Sequence, residues 1–146
     1  ECDGVRGRIT DIGIRSTTLE TRTGNTISFL NSQLFQKNFC NLTKNNKYEL
    51  CIIDVGVAYG TDVEKARTVI LEAVKPLEEK FKPNTGTIVH LSNFGDSSVD
   101  LQIKVWLKIS EKGGMMASIR EATYNAFVEN GIEIPFPQRD IHIKQD

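Results

Sequence analysis

The segment from residue 99 to residue 109 alternates between apolar and polar side chains, and it restricts the possible folds more than any other part of the sequence. The odd-numbered positions are apolar, and the even-numbered positions from 100 to 108 are Asp, Gln, Lys, Trp and Lys. Because successive side chains of a β-strand point to opposite faces of the sheet, the pattern predicts a strand with one buried face. Any fold for this chain must therefore contain a sheet that is covered on one side.

Two further strands are predicted in front of this one. Residues 48–59 form a long apolar run rich in Ile and Val, and residues 87–94 form a second run, joined to the alternating strand at Gly95-Asp96. Runs of this composition, bounded by turn residues, are typical of strands. We therefore expect these three segments to form the sheet.

Two amphipathic helices are predicted between and after these strands. Thr61 and Glu64 form a capping box for the first helix, and Pro76 should kink or interrupt it, because proline has no backbone N–H to donate. The second helix follows Gly113-Gly114, which breaks the strand, and ends at Asn130-Gly131. Both helices carry an apolar face and can therefore cover the sheet.

The order of these elements predicts the fold class α+β. Short extended pieces at 132–134 and 140–143 complete the order strand, helix, strand, strand, helix, strand. This is the split βαβ, or ferredoxin-like, arrangement, with both helices on one face of an antiparallel sheet.

The N-terminal part of the chain predicts a separate small β-domain. Short runs of β-forming residues indicate strands at 5–14, 17–22 and 26–30. Gly24-Asn25 predicts a hairpin turn, since both residues tolerate a positive φ. Phe35, Phe39 and Leu42 indicate one more strand or a short connector.

Five polar residues at 43–47 mark the best internal boundary. The predicted domains are a β-domain at 1–46, a ferredoxin-like α/β domain at 47–139 and a terminal strand at 140–146. The boundary also divides the charge, because residues 1–46 hold six Lys or Arg and four Asp or Glu, whereas residues 47–146 hold twelve and fifteen.

The composition excludes several classes of protein. The formal net charge of −1 leaves no basic surface of the kind that general nucleic-acid binding needs, so no nucleic acid is expected as a partner. No window reaches the ~18–20 uncharged apolar residues that span a bilayer. Three cysteines without CxxC spacing predict a reducing compartment. The first residues contain no Met, basic region or apolar region, so we expect a piece whose upstream part is absent.

No pattern predicts catalysis, a metal site or a cofactor. His90 and His142 have no second His or Cys at ligand spacing. The turn at 56–62 offers amides to a phosphate, but a strand-to-helix turn capped by Thr61 accounts for it better, since no Lys or Arg follows before Lys65. An acylphosphatase-like hydrolase would carry an Arg in this turn, and this turn has none.

One residue and one short segment are candidates for an interface. Trp106, the only Trp, stands on the polar side of the alternating strand, where either a neighbouring domain or another subunit would cover it. Pro135, Phe136 and Pro137 form a stiff extended segment that cannot pair as a central strand. A rigid apolar connector of this kind predicts a docking surface.

Three blocks of the sequence resemble the small-conductance mechanosensitive channel (MscS) family. They are residues 7–19 (GRITDIGIRSTTL), 56–66 (GVAYGTDVEKA) and 131–140 (GIEIPFPQRD). The blocks follow one another in the family's order and spacing and together span nearly the whole chain. One departure is Phe29-Leu30-Asn31-Ser32, where the family commonly has Ile-Pro-Asn-Ser.

The resemblance implies the architecture of a channel's cytoplasmic part. It implies a Sm-like β-domain whose first strand lies upstream, followed by the α/β domain. It also implies a C-terminal strand that closes an oligomeric barrel at the base, which in this chain contains Asp140, Ile141, His142 and Ile143. The subunits would form a homoheptamer around a vestibule with side portals, and no residue is assigned to the portals.

The resemblance also implies a function without catalysis and without a cofactor. The channel would open under membrane tension and release ions and small osmolytes on hypo-osmotic shock. Its transmembrane helices would lie upstream, and this part would lie on the cytoplasmic side of the bacterial inner (plasma) membrane. There it would assemble the cage and filter solutes.

Two other interpretations remain open. A soluble, ring-forming Sm-like module that binds RNA is opposed by the near-neutral charge and by the lack of aromatic residues interleaved with Arg or Lys. A small acylphosphatase-like hydrolase needs a competent pocket at the turn 56–62. RNA binding at physiological salt would support the first, and phosphatase activity that depends on Thr61 would support the second.

Overall fold

The computed structural model describes residues 1–41, 47–137 and 139, which contain two antiparallel sheets of three strands each. Contacts divide the chain into two units, residues 1–47 and 48–146. The fold class α+β with two small antiparallel sheets is confirmed. The predicted boundary after residue 46 lies next to this division, and the predicted terminal strand at 140–146 lies outside the described residues.

The N-terminal unit contains a three-stranded meander. Its strands are β1 (Gly7–Ile12), β2 (Ser16–Thr21) and β3 (Thr26–Leu30), in the order β1-β2-β3. The predicted hairpin turn is present between β2 and β3. Gly24 has a φ of +80° there, and its amide donates to the Thr21 carbonyl at 3.0 Å. Glycine adopts this left-handed conformation without steric cost, so the turn follows directly from the sequence.

A one-turn helix, α1 (Asn31–Phe35), follows β3. The sequence predicted either one more strand or a short connector here. The strand is wrong, and a short connector forms. Phe35 closes α1, and Phe35 and Phe39 are both exposed, so neither lies against a sheet as a strand residue would. The third residue of that prediction, Leu42, lies outside the described residues.

The C-terminal unit is built on the predicted alternating strand. Its strands are β4 (Tyr48–Val57), β5 (Ile88–Phe94) and β6 (Val99–Lys108), and β6 lies in the centre, in the order β4-β6-β5. The alternation is confirmed, because each odd-numbered residue of β6 is buried. Ile53 pairs with Ile103 and Ile103 with Val89, so one apolar row crosses all three strands.

Both helices cover this buried face. They are α2 (Val63–Val74) and α3 (Lys112–Glu129), and a short 3₁₀ segment, Lys75–Lys80, follows α2. The core that they form with the sheet contains Cys51, Ile53, Val57, Ala66, Val69, Ile70, Val74, Phe81, Val89, Val99, Leu101, Ile103, Val105, Leu107, Met115, Ile119, Phe127 and Ile132. No helix in the described part of the chain has the length and apolar character to cross a membrane.

The helix ends agree only in part with the sequence predictions. The interruption at Pro76 and the end at Gly131, which has a φ of +66°, are confirmed. The capping box is wrong, because the N-cap of α2 is Asp62, whose carboxylate accepts from the amides of Glu64 and Lys65. The start of α3 also differs, since Gly113-Gly114 lies within its first turn rather than before it.

The last predicted strand of the ferredoxin-like order does not join the sheet. Residues 132–134 belong to no strand, and one backbone hydrogen bond links them to the region after β4, from the Ala58 amide to the Glu133 carbonyl at 2.9 Å. Three residues before Pro135 give too few donors and acceptors for a ladder of their own. Among the described residues the arrangement is therefore strand, helix, strand, strand, helix.

Candidate functional site

Trp106 lies on the outer face of the C-terminal sheet, opposite Leu50 of β4. Its ring is half-buried, and the cover comes from the same unit, since Lys82 Nζ lies 4.8 Å from the ring centroid. The amide of Lys82 also donates to the Trp106 carbonyl at 3.0 Å. An ammonium over an indole face is attracted by the ring's quadrupole, so Lys82 covers part of the Trp106 ring. The sequence analysis predicted that a neighbouring domain or another subunit would cover Trp106, and it did not predict a contact with Lys82.

Three apolar side chains lie on the same outer face of the sheet as Trp106. Ile52 and Ile88 flank Lys104 across the three strands, and Leu50 lies beside the indole. These three aliphatic side chains are between 41% and 60% exposed. We call Leu50, Ile52, Ile88 and Trp106 the outer apolar patch. A soluble sheet normally turns polar residues to this side, so the patch is a candidate contact surface.

The sequence prediction missed three members of the outer apolar patch. The signal was present in β4, where Leu50, Cys51, Ile52 and Ile53 are all apolar. An unbroken run of this kind indicates that both faces of a strand lie against apolar surroundings. Read together with Trp106, it indicates a second covered face.

The segment Pro135 to Pro137 has no regular secondary structure and exposes Phe136, which is 79% accessible. Its prolines line an open cleft of 450 Å³ together with Asp96, Ser98 and Arg139. The structure therefore brings the predicted proline segment against the turn between β5 and β6. The other predicted interface residues, Asp140, Ile141, His142 and Ile143, lie outside the described residues.

The turn between β5 and β6 is held by a set of short polar contacts. The Tyr59 hydroxyl donates to the Gly95 carbonyl at 2.5 Å, and the Gly95 amide donates to the Ser98 carbonyl at 2.7 Å. A Cβ on Gly95 would lie 2.8 Å from Ser98 Oγ, so only glycine fits here without a shift. These contacts give the cleft beside Pro135 a fixed wall.

The turn at 56–62 does not form an anion site. Asp62 occupies the free amides at the start of α2, with its Oδ1 3.0 Å from the Glu64 nitrogen and 3.3 Å from the Lys65 nitrogen. A phosphate at this helix start would meet a carboxylate instead of open amides. The geometry therefore disfavours the hydrolase interpretation.

The described residues contain no cluster of three or more His, Cys, Asp or Glu side chains that would hold a metal ion. His90 lies half-buried on β5, in register with Gln102 of β6. His142 lies outside the described residues.

In the N-terminal unit, Asn31 connects three parts of the fold. Its Nδ2 donates to the carbonyls of Gly13 and Ile14 at 2.9 and 3.1 Å, and its Oδ1 accepts from the Thr17 hydroxyl at 2.8 Å. This chain lacks the proline of the family's Ile-Pro-Asn-Ser motif but keeps the asparagine. That asparagine, Asn31, fixes the turn between β1 and β2. The sequence alone did not indicate these long-range hydrogen bonds of Asn31.

Lys37 and Asp3 form an ion pair in the same unit. The hydrogen bond that Lys37 donates to the Asp3 carboxylate, followed by the charge of that carboxylate, raises the pKa of Lys37 above 10.5. Both side chains are largely exposed, so the pair contributes little to stability.

Comparison with known proteins agrees with the predicted resemblance over both units. Residues 1–44 match the family model described as "Mechanosensitive ion channel, beta-domain", and residues 52–134 match "Mechanosensitive ion channel MscS, C-terminal". These families are channels rather than enzymes.

Individual relatives extend the match along the whole chain. An uncharacterized MscS family protein of Archaeoglobus fulgidus is 32% identical over 94% of this chain and 48% of its own length. The small-conductance mechanosensitive channel of Edwardsiella ictaluri is 30% identical over 97% of this chain and 49% of its own. The chain thus spans about half the length of the curated relatives it matches.

A solved structure of an MscS channel has the same fold as this chain over the matched region. The crystal structure of Helicobacter pylori MscS in its closed state matches 99% of this chain and 56% of its own with a TM-score of 0.90, at 29% identity. The resemblance inferred from the three sequence blocks is confirmed. Because a family model matches more than half of its residues, this chain belongs to the MscS family of mechanosensitive ion channels.

Proposed function

We propose that this chain is the cytoplasmic vestibule domain of a channel that opens under membrane tension and releases ions and small osmolytes on hypo-osmotic shock. The observation that carries the proposal is the extent of the structural match, a TM-score of 0.90 over 99% of the chain. A chain that has the fold of one region of a channel from end to end is expected to take the same place in its own assembly.

The physics of tension gating agrees with the site geometry. Tension does work on a protein that expands in the plane of the membrane, so the gate must lie in the lipid. A soluble domain below such a gate needs no catalytic residues, in keeping with the Asp62 carboxylate that fills the amides at the start of α2. In this proposal the domain lies on the cytoplasmic side of the bacterial inner membrane, attached to upstream transmembrane helices.

Assembly of the cage is the first role that we propose for the domain. Identical chains around a closed rotational axis use heterologous interfaces, so a modest patch on each subunit is repeated around the ring. The outer apolar patch around Trp106, together with Phe136, supplies apolar and aromatic side chains of the kind enriched at such contacts. We infer a homoheptamer that uses these surfaces.

The residues Asp140, Ile141, His142 and Ile143 form the second contact of the proposal. Their alternating pattern suits a barrel strand, with Ile141 and Ile143 on one side. Deleting residues 140–146 and measuring the mass of the assembly tests this part, since an unchanged heptamer would remove the barrel from the account.

Selection of solutes is the other role. Residues 47–146 hold twelve Lys or Arg and fifteen Asp or Glu, and a ring repeats this excess of negative charge in every subunit. A vestibule with one sign of charge raises the local concentration of the opposite ion. We therefore expect the vestibule to favour the entry of cations over anions.

A chimeric channel tests the proposed function. In the Helicobacter pylori channel, the matched region would be replaced by this chain and expressed in bacterial cells that lack their own mechanosensitive channels. Patch recording under graded suction should give currents that open with tension, and the cells should survive a sudden drop in external osmolarity.

The matched control is the same chimera with Ile103→Asp, which places a charge in the centre of the sheet core and should abolish both currents and survival. If the intact chimera reaches the membrane as an oligomer but passes no current under tension, the proposed vestibule role is wrong.

A further inference from the structure

The sequence contains a single Asn-Gly pair, Asn130-Gly131. In such a pair the backbone nitrogen of the glycine can attack the side-chain carbonyl carbon of the asparagine, because glycine has no side chain to hinder the approach. The attack closes a five-membered succinimide ring and releases ammonia. One water molecule then opens the ring and leaves either aspartate or isoaspartate. The reaction needs only water, so this pair is a candidate site of covalent modification.

The structure places the Asn-Gly pair at the end of α3. Asn130 is the exposed C-cap residue, and Gly131 follows it with a φ of +66°. The Gly131 amide donates to the Val128 carbonyl at 3.3 Å, and the Ile132 amide donates to the Phe127 carbonyl at 2.9 Å. These two bonds form a Schellman motif, to which the buried Ile132 side chain adds an apolar contact. The reactive pair is therefore part of an ordered helix end.

This helix end holds Asn130 in a conformation that opposes the reaction. At its ψ of 8°, the Gly131 nitrogen is turned away from the Asn130 Cβ, so ring closure requires rotation about the Cα–C bond of Asn130. Asn130 Nδ2 donates to the Ala126 carbonyl at 2.8 Å, and the Asn130 carbonyl accepts from Lys65 Nζ at 3.2 Å. Rotation moves that carbonyl and breaks the Schellman bonds. The reaction therefore requires local opening of the last turn of α3.

The product would weaken the same helix end. An aspartate at position 130 has no N–H to donate to the Ala126 carbonyl, and it places a negative charge beside the free carbonyls at the C-terminus of the helix. An isoaspartate also adds one carbon atom to the backbone, which changes the spacing of the Schellman bonds. Ile132 follows two residues later and belongs to the core, so the modification reaches the anchor of the segment from Pro135 to Pro137.

We propose that Asn130 is a site of spontaneous deamidation and that the closed end of α3 keeps the reaction slow. Each opening of the last helical turn exposes Asn130 to attack by the Gly131 nitrogen. The product then favours the open end. Because ammonia is lost, the chain does not regain the amide, and the deamidated fraction records the total time for which the end of α3 has been open.

Peptide mapping by mass spectrometry tests the site on the 146-residue chain, incubated at mildly alkaline pH. The peptide that contains Asn130 should gain about 1 Da, with aspartate and isoaspartate separated by chromatography. The gain should be at least about tenfold slower in the folded chain than in the chain unfolded in urea. No gain at Asn130 in urea, or equal rates in the folded and the unfolded chain, overturns the proposal.

Two variants of similarly buried residues locate the protecting structure. Ile132→Ala removes the apolar contact of the Schellman motif and should raise the deamidation rate of the folded chain at least about fivefold. Val89→Ala destabilises the same unit through β5 and should leave the rate nearly unchanged, because the end of α3 opens without unfolding of the sheet. Equal acceleration in both variants would show that the reaction needs unfolding of the whole unit, and the proposed role of the helix end would be wrong.

Asn130→Asp tests the effect of the product. Urea denaturation followed by Trp106 fluorescence should show a midpoint lowered by about 0.5–1 M. Asn125→Asp adds the same charge at another exposed position of α3 and should lower the midpoint less than half as much. Equal shifts in the two variants would contradict the proposed weakening of the helix end.

Discussion

Replacing Ile103 with alanine is the change that tests the packing of the C-terminal unit most sharply. Ile103 is fully buried at the centre of β6, between Ile53 and Val89. The substitution removes three carbon atoms, which at about 0.8 kcal/mol each is about 2.4 kcal/mol of transfer free energy. With the cavity left behind, we expect the free energy of unfolding to fall by about 3–4 kcal/mol.

Ile88→Ala is the matched control, because it removes the same atoms from the outer face of the same sheet. Ile88 is 60% exposed, so its loss should cost under about 1 kcal/mol. Urea denaturation followed by the fluorescence of Trp106 reports on this unit, since the chain has a single Trp. At a slope of about 1.5 kcal/mol/M, Ile103→Ala should lower the urea midpoint by about 2 M. Equal shifts in the two variants would refute the assignment of an inner and an outer face.

Three further changes test individual contacts. Asn31→Asp replaces the amide group that donates to the carbonyls of Gly13 and Ile14 with a carboxylate, which can only accept. Urea denaturation of the N-terminal unit should therefore show that the free energy of unfolding falls by about 2–3 kcal/mol. Asp62→Ala should lower the free energy of unfolding by about 1 kcal/mol, and Thr61→Ala should lower it much less. A larger loss in Thr61→Ala than in Asp62→Ala would show that Thr61 is the N-cap of α2. Asp3→Asn should lower the pKa of Lys37 towards 10.5, measured by NMR titration, because the carboxylate that favours the ammonium is lost. Since the folded pKa is the higher one, the stabilisation by this pair is present below pH 10.5 and is lost as the pH rises through the folded pKa.

The parts of the fold that the sequence predicted correctly are those decided by local pattern. The alternation in β6 requires a buried face, Pro76 cannot continue a helix and Gly131 takes a left-handed conformation, and each of these facts holds wherever the segment lies in space. Local pattern did not decide between Thr61 and Asp62 as the cap of α2. Two capping residues stand side by side there, and packing of the helix on the sheet determines which one faces the free amides.

Other features depend on contacts between distant residues. Gly113 and Gly114 have a low helix propensity, but they form part of the first turn of α3 because Met115, the next residue, is buried against the core. The cover of Trp106 by Lys82 joins residues that are far apart in sequence. The links that Asn31 makes to the turn between β1 and β2 are of the same kind.

The candidate interface stays a prediction, and its residues were identified from the sequence only in part. Trp106 and Phe136 were found because an aromatic side chain at a polar position, or between two prolines, contradicts its local surroundings. The outer apolar patch was missed, because an apolar run in a strand does not tell which of its two faces is the core. Only the register of β4 with β6 separates Leu50 and Ile52 from Cys51 and Ile53.

The mass of the assembled chain is the most direct test of the proposed cage. Native mass spectrometry of the 146-residue chain should give seven copies of the 16.4 kDa subunit. Phe136→Ser should weaken the assembly at a surface that is already exposed in the single chain, whereas Val128→Ser, a similarly exposed position on α3, should leave it intact. A chain that remains a 16.4 kDa monomer at every concentration would contradict the account.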